Sequence, residues 1–143
     1  MRSYYGEDAP LARGEANDCC VRALTAATGF EYSVIHEYLK KEFHRKDRQG
    51  VAGFNIKMKR RSNILGEEYT TFQRAELETT YMNYGREVKR QMTVGTFVKQ
   101  YPIGTYILVV RGHAFCLIDG IVVGGNAEDG KRLKARITAA YKF

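Results

Sequence analysis

Three side chains in this chain could share covalent chemistry: a cysteine at position 19 or 20, His113 and Asn126. The adjacent Cys19 and Cys20 follow Asn17 and Asp18, two residues that favour helix N-termini, and an apolar-periodic run follows them. A helix starting here places Cys19 in its first turn. There the unsatisfied backbone N–H groups and the positive end of the macrodipole stabilise a thiolate. A thiolate attacks a carbonyl carbon when a base lies within hydrogen-bond reach and a third group fixes that base's ring. The other reading of the pair is two small buried hydrophobes, since free cysteine is among the most buried residue types.

The base and its partner come from a hairpin. Gly104–Val110 is a buried strand, and His113–Ile118 and Ile121–Asn126 are two more runs separated by Asp119-Gly120. Asp-Gly between β-branched runs is a strong signal for a two-residue turn. With that turn Ile118 opposes Ile121, and counting back along both strands His113 opposes Asn126. Opposed residues share a sheet face, with Cβ atoms about 4.5–5.5 Å apart. Asp119 is a turn residue, about 20 Å from His113 at roughly 3.3 Å per residue, and no partner for it. A bulge at Gly124-Gly125 would shift the register. His36 and His44 are eight residues apart, which is not the i, i+4 spacing with which a helix chelates metal, so no metal site is expected.

The positioning elements follow from periodicity. Asp18–Thr28 reads as a helix stopped by Gly29. A second helix has Ser33 as N-cap and Val34, Ile35, Tyr38, Leu39 and Phe43 as its apolar stripe. Val51–Ile56 fits a helix or a short strand, and Tyr69–Tyr81 leans toward strand. A helix over Thr93–Gln100 ends before Pro102, and residues 133–143 supply a closing strand. Residues 1–16 form an irregular lead-in, and no repeat or linker divides the chain. The expected architecture is one α+β domain over residues 1–143, with an N-terminal helix packed on an antiparallel sheet.

Composition narrows the function classes. A chain of 143 residues can bury a real core. It contains no apolar run of the roughly 18–20 residues that a membrane span needs, and its N-terminus has no hydrophobic signal core. A cytoplasmic location is therefore expected. Three cysteines, two of them adjacent and none in a Cys-x-x-Cys pair, suit free thiols better than disulfides or structural zinc. The net charge of +7 is concentrated in Lys40, Lys41, Arg45, Lys46, Arg48, Lys57, Lys59, Arg60 and Arg61. That stretch fits an acidic protein partner, a phosphate-binding surface or a merely solvated face. No nucleic-acid motif accompanies it, so nucleic acid is not the expected partner.

The order cysteine on an early helix, histidine on a late strand, Asn or Asp on the next strand resembles papain-like cysteine peptidases. Asp18-Cys19-Cys20-Val21-Arg22-Ala23-Leu24 is similar to the Cys-x-x-Arg-Ala-Leu nucleophile helix of small papain-like proteins, some encoded by bacteriophages, and to that of ovarian-tumour deubiquitinases. Gly112-His113-Ala114 with Asp119-Gly120 resembles the histidine hairpin of small papain-like and C39-like peptidases. The likeness covers some 35 residues in two blocks. It implies a papain-like fold and a hydrolase of peptide or isopeptide bonds without a cofactor. It also implies that Cys19, not Cys20, is the nucleophile, with His113 as base and Asn126 orienting the imidazole. Two departures stand out. Papain and C39 peptidases have an oxyanion-hole Gln six residues before the cysteine, where this chain has Arg13, and the deubiquitinases have an Asp three residues before it, where this chain has Ala16. Asn17, with the Cys19 backbone N–H, is the candidate replacement donor. The rival implication is an inactive papain-like binding module, viral in origin, that engages a host protein in the host cytoplasm through the basic surface.

Overall fold

The computed structural model describes residue 15, residues 17–123 and residues 133–143. The first helix, α1 (Cys19–Thr28), ends at Gly29, whose φ of 80° closes the last turn with a backbone bond to the Thr25 carbonyl. α2 (Tyr32–Glu42) and the short α3 (Phe54–Lys59) follow. Two small strand pairs and a 3₁₀ turn fill the middle of the chain: β1 (Asn63–Ile64) with β2 (Glu67–Glu68), the turn Arg74–Leu77, and β4 (Glu78–Asn83) with β5 (Arg86–Gln91). The main sheet takes β3 (Thr70–Thr71), β6 (Thr105–Val110), β7 (His113–Ile118), β8 (Ile121–Val123) and β9 (Ile137–Lys142), in the order β3-β9-β6-β7-β8 with every pair antiparallel. Helix α4 (Val94–Gln100) precedes β6, and its N-cap Thr93 accepts a bond from the Thr96 N–H at 3.2 Å.

Both faces of this sheet are covered, so its strands read as continuous apolar runs even though they are antiparallel. On one face Ile107, Ala114, Cys116, Ala139 and Tyr141 meet α1, α2 and α3 through Leu24, Ile35, Leu39, Phe54 and Met58. On the other, Tyr106, Leu108, Phe115, Leu117 and Ala140 meet Leu77, Val94 and Phe97. The helix-bearing face is built small where α1 crosses it. Ala23, Ala26 and Ala27 of the helix are buried with Ala114 and Cys116 of β7, and short side chains let helix and strand approach closely.

The hairpin register is as the sequence predicts. Ile118 opposes Ile121, Leu117 opposes Val122 and Cys116 opposes Val123. Asp119 and Gly120 have φ of 50° and 79°, both positive as a type I′ turn requires. Asp119 serves the turn, its Oδ1 accepting the Gly104 N–H at 2.8 Å. Other expectations need correction. α2 starts one residue before Ser33, with Glu31 in the N-cap position, and Val34 is exposed rather than part of the buried stripe. Val51–Ile56 resolves into a turn and the start of α3. The stretch Tyr69–Tyr81 is broken by the 3₁₀ turn, because Leu77 is drawn into the core beside Met92. The closing strand is shorter than residues 133–143, beginning at Ile137.

If close approach of α1 to β7 depends on small side chains, Ala23→Leu must push the two apart. The expected loss is about 1–3 kcal/mol of stability, read as a lower urea midpoint at unchanged slope.

Candidate active site

Asp18 occupies the N-cap position of α1, but its side chain makes no capping bond. The carboxylate is used sideways instead, accepting the Tyr32 hydroxyl at 2.7 Å and Arg22 Nε at 3.2 Å, with Asp18 itself buried. This fixes the start of α1 against α2. Cys19 is then the first helical residue, partly exposed, while Cys20 turns into the core.

The Cys19 sulfur is surrounded by donors. The Cys20 thiol, the His113 side chain and the Ala114 backbone N–H all lie close enough to favour its anion. The Cys20 thiol is the largest influence, and together with His113 and Ala114 it overcomes burial and draws Cys19 from an ordinary 9.0 down to about 4. Cys20 moves the other way, because giving its proton to a neighbouring sulfur and sitting in the core both favour the thiol. Its own sulfur accepts the Val51 N–H. Two adjacent cysteines therefore divide the work: Cys20 holds its proton and Cys19 gives its proton up.

His113 opens β7, directly after Arg111 and Gly112, and Gly112 takes a φ of 73° so that Val110 can oppose His113 across the turn. The ring stacks on Phe115 at 5.9 Å. Cys19, His113 and Ala114 line a groove of about 420 Å³ whose other walls come from Gly50, Val51 and Gly53, from Phe54, Asn55 and Ile56, and from Val109, Val110 and Gly112. Of the residues singled out from the sequence, Cys19 and His113 are thus brought together. Asn126, and with it the third role, lies outside the described residues. Asn17 sits just before the helix with φ 54°, and its Nδ2 donates to the Arg48 carbonyl at 3.1 Å. Asn17 is not among the residues that line the groove.

Behind the helix start lies a network with no sequence signature. Glu15 accepts Arg45 at both carboxylate oxygens (2.8 and 3.3 Å), His36 Nε2 at 2.7 Å and the Arg48 N–H at 2.8 Å, with its side chain 5% exposed. The Arg45 guanidinium is the main cause that holds the Glu15 carboxyl down at about 2, against burial, with His36 and the Arg48 N–H assisting. Glu15, His36 and Asp47 come close enough to suggest a metal site, but the guanidinium already neutralises the carboxylate. The network ties the segment before α1 to the 45–48 loop, and that loop leads into Gly50 and Val51 of the groove. It also shows how the basic stretch is spent. Arg45 is buried, Lys57 Nζ donates to the Phe43 carbonyl, and Arg61 lies over the Phe43 ring and pairs with Glu42. Lys40, Lys41, Lys46, Arg48, Lys59 and Arg60 are exposed, with Lys40 beside Asp47 and Lys41 beside Glu37.

Compared with protein-family models, curated proteins and solved structures, the chain matches none. No helix among the described residues is long and apolar enough to cross a membrane. None of the three cysteines is in a disulfide, and Cys116 is fully buried in β7.

The two lowered acids give separate pH readouts, one in reactivity and one in stability. Alkylation of Cys19 by iodoacetamide requires the thiolate, so its rate should hold steady from pH 8 down to pH 5 and fall only as pH drops through about 4. Glu15 bears on stability. Its folded-state pKa lies below the unfolded value, so protonation favours the unfolded chain; its contribution is complete above about 4.5 and lost as pH falls toward about 2. Urea unfolding of Glu15→Gln should show lower stability at pH 7 and a shallower decline between pH 5 and pH 2 than the unaltered protein.

Proposed function

We propose that this protein is a cysteine-dependent hydrolase of papain-like type, acting on a peptide or isopeptide bond. The observation that carries the reading is the placing of Cys19 and His113 together on the wall of one groove, with the histidine among the groups that favour the Cys19 anion. The Cys19 thiolate adds to the scissile carbonyl carbon, and the carbonyl π pair moves onto oxygen. Collapse of that adduct expels the amine as protonated His113 gives it a proton, leaving a thioester on Cys19. His113 then takes a proton from water, the hydroxide displaces the thiolate, and a carboxylate leaves. Asn126, which lies outside the described residues, keeps in this proposal the part of orienting His113 that the sequence analysis expects of it.

The rival reading, an inactive module that binds a partner through residues 40–61, is the weaker one. It rests on the basic stretch alone, of which Arg45, Lys57 and Arg61 are engaged within the fold while the other six basic residues are exposed. It also has no use for an ionised cysteine beside a histidine.

Labelling with an iodoacetamide probe tests the nucleophile. Cys19→Ala should abolish labelling at pH 6. Cys20→Ala should still label at pH 8 but lose most of its reactivity at pH 5, because the thiol that stabilises the Cys19 anion is gone. Equal labelling of the two single variants would overturn the assignment.

A further inference from the structure

A thiolate that adds to a carbonyl leaves negative charge on oxygen, and in an apolar groove that charge needs a fixed donor. Asn17 is occupied at the Arg48 carbonyl. Among the described residues, the side-chain amide that lines the groove with Cys19 and His113 is that of Asn55 on α3.

Asn55 is held from behind. Its Oδ1 accepts the Tyr141 hydroxyl at 3.0 Å. Tyr141 is fully buried, with its ring edge-on to those of Phe54 and Tyr69, so the hydroxyl is a fixed point of the core. A planar amide anchored through its oxygen presents its NH₂ on the other side. Among the described residues Asn55 Nδ2 has no hydrogen-bond partner, and Asn55 itself is half-buried. The surrounding walls include Val51, Phe54, Ile56, Val109 and Val110. A substrate entering there displaces water from the NH₂, and without an acceptor of its own that desolvation is unfavourable.

We propose that Asn55 is a catalytic residue of this groove, its Nδ2 donating to the carbonyl oxygen of the bound acyl group as Cys19 attacks, and that Tyr141 is the positioning residue that aims it. The assignment rests on the hydrolase reading and adds to it the side chain that stabilises the oxyanion.

The test compares two reactions of Cys19. With 4-nitrophenyl acetate the thiolate adds to the ester carbonyl, the π pair moves onto oxygen, and collapse expels 4-nitrophenolate and leaves acetyl-Cys19. With iodoacetamide the thiolate displaces iodide from a methylene carbon, and no oxyanion forms. Asn55→Leu and the near-isosteric Asn55→Asp, each checked for an unchanged circular dichroism spectrum, should slow the nitrophenolate burst about 10²-fold, the usual effect of removing one such donor. Both should leave the alkylation rate of Cys19 at neutral pH within about twofold, since the donors to the sulfur are untouched. Tyr141→Phe, which keeps the core filled, should slow acylation in the same sense and spare alkylation. Equal loss of both rates, or loss of neither, would overturn the role of Asn55. Alkylation of Cys19 in the unaltered protein without any acylation would overturn the hydrolase reading itself, and the role of Asn55 with it.

Discussion

The contact between α1 and β7 is the constraint on which the rest depends. Cys19 can meet His113 only if the first turn of the helix lies across the first residue of the strand. That placement requires short side chains between the two backbones, which Ala23, Ala26, Ala27, Ala114 and Cys116 supply. The larger residues of the same core, Leu24, Ile35, Leu39 and Phe43, fill the space around them and keep the helix seated. Dispersion over many such contacts exceeds any single polar bond at the site, so the geometry of the reactive pair is a by-product of packing.

Electrostatics then acts on a position already defined by packing. Burial alone would raise the pKa of Cys19, and the observed lowering requires three donors in the same small volume. Cys20 is the nearest because it is the next residue, His113 and Ala114 because β7 begins there. The Glu15–Arg45 pair does comparable work one layer further out. It binds the chain before the helix to the loop after α2, and that loop's Val51 N–H bonds the Cys20 sulfur. A charge pair more than fifteen residues from either groove strand is thereby connected to the thiolate through four links.

What could be read from the sequence was local. Gly29 and Asp119-Gly120 each report on their own backbone conformation, and each appears in its predicted role. The β7–β8 register followed from one turn and the period of two. Two further type I′ turns were invisible, at Leu65-Gly66 and Tyr84-Gly85, because bulky residues rarely take the positive φ found at Leu65 and Tyr84. For that reason the middle of the chain resisted assignment. The site divides in the same way. Cys19 and His113 carry their chemistry in their residue types and neighbours, whereas Asn55 and Glu15 gain theirs from partners 86 and 30 residues away. Cys20, which read as a silent neighbour, has its effect only because a helix start sets its thiol close to that of Cys19.

The β4–β5 hairpin leaves a different kind of mark. It pairs only with itself, from Glu78–Gln91 at its base to Asn83–Arg86 at its tip, and Tyr84 at the end is wholly exposed. Leu77 and Met92 clamp the base, the Met92 N–H bonding the Leu77 carbonyl at 2.7 Å, with both side chains in the core. Just beyond that clamp Arg136 Nη1 donates to the Gln91 carbonyl at 2.9 Å, and further out most of the arm's residues are exposed. The arm can lengthen or shorten by two residues per strand, keeping each side chain on its own face, while the groove and the sheet notice nothing. Mutational drift is therefore cheapest there, and between related chains this arm is the part whose length and surface should diverge first.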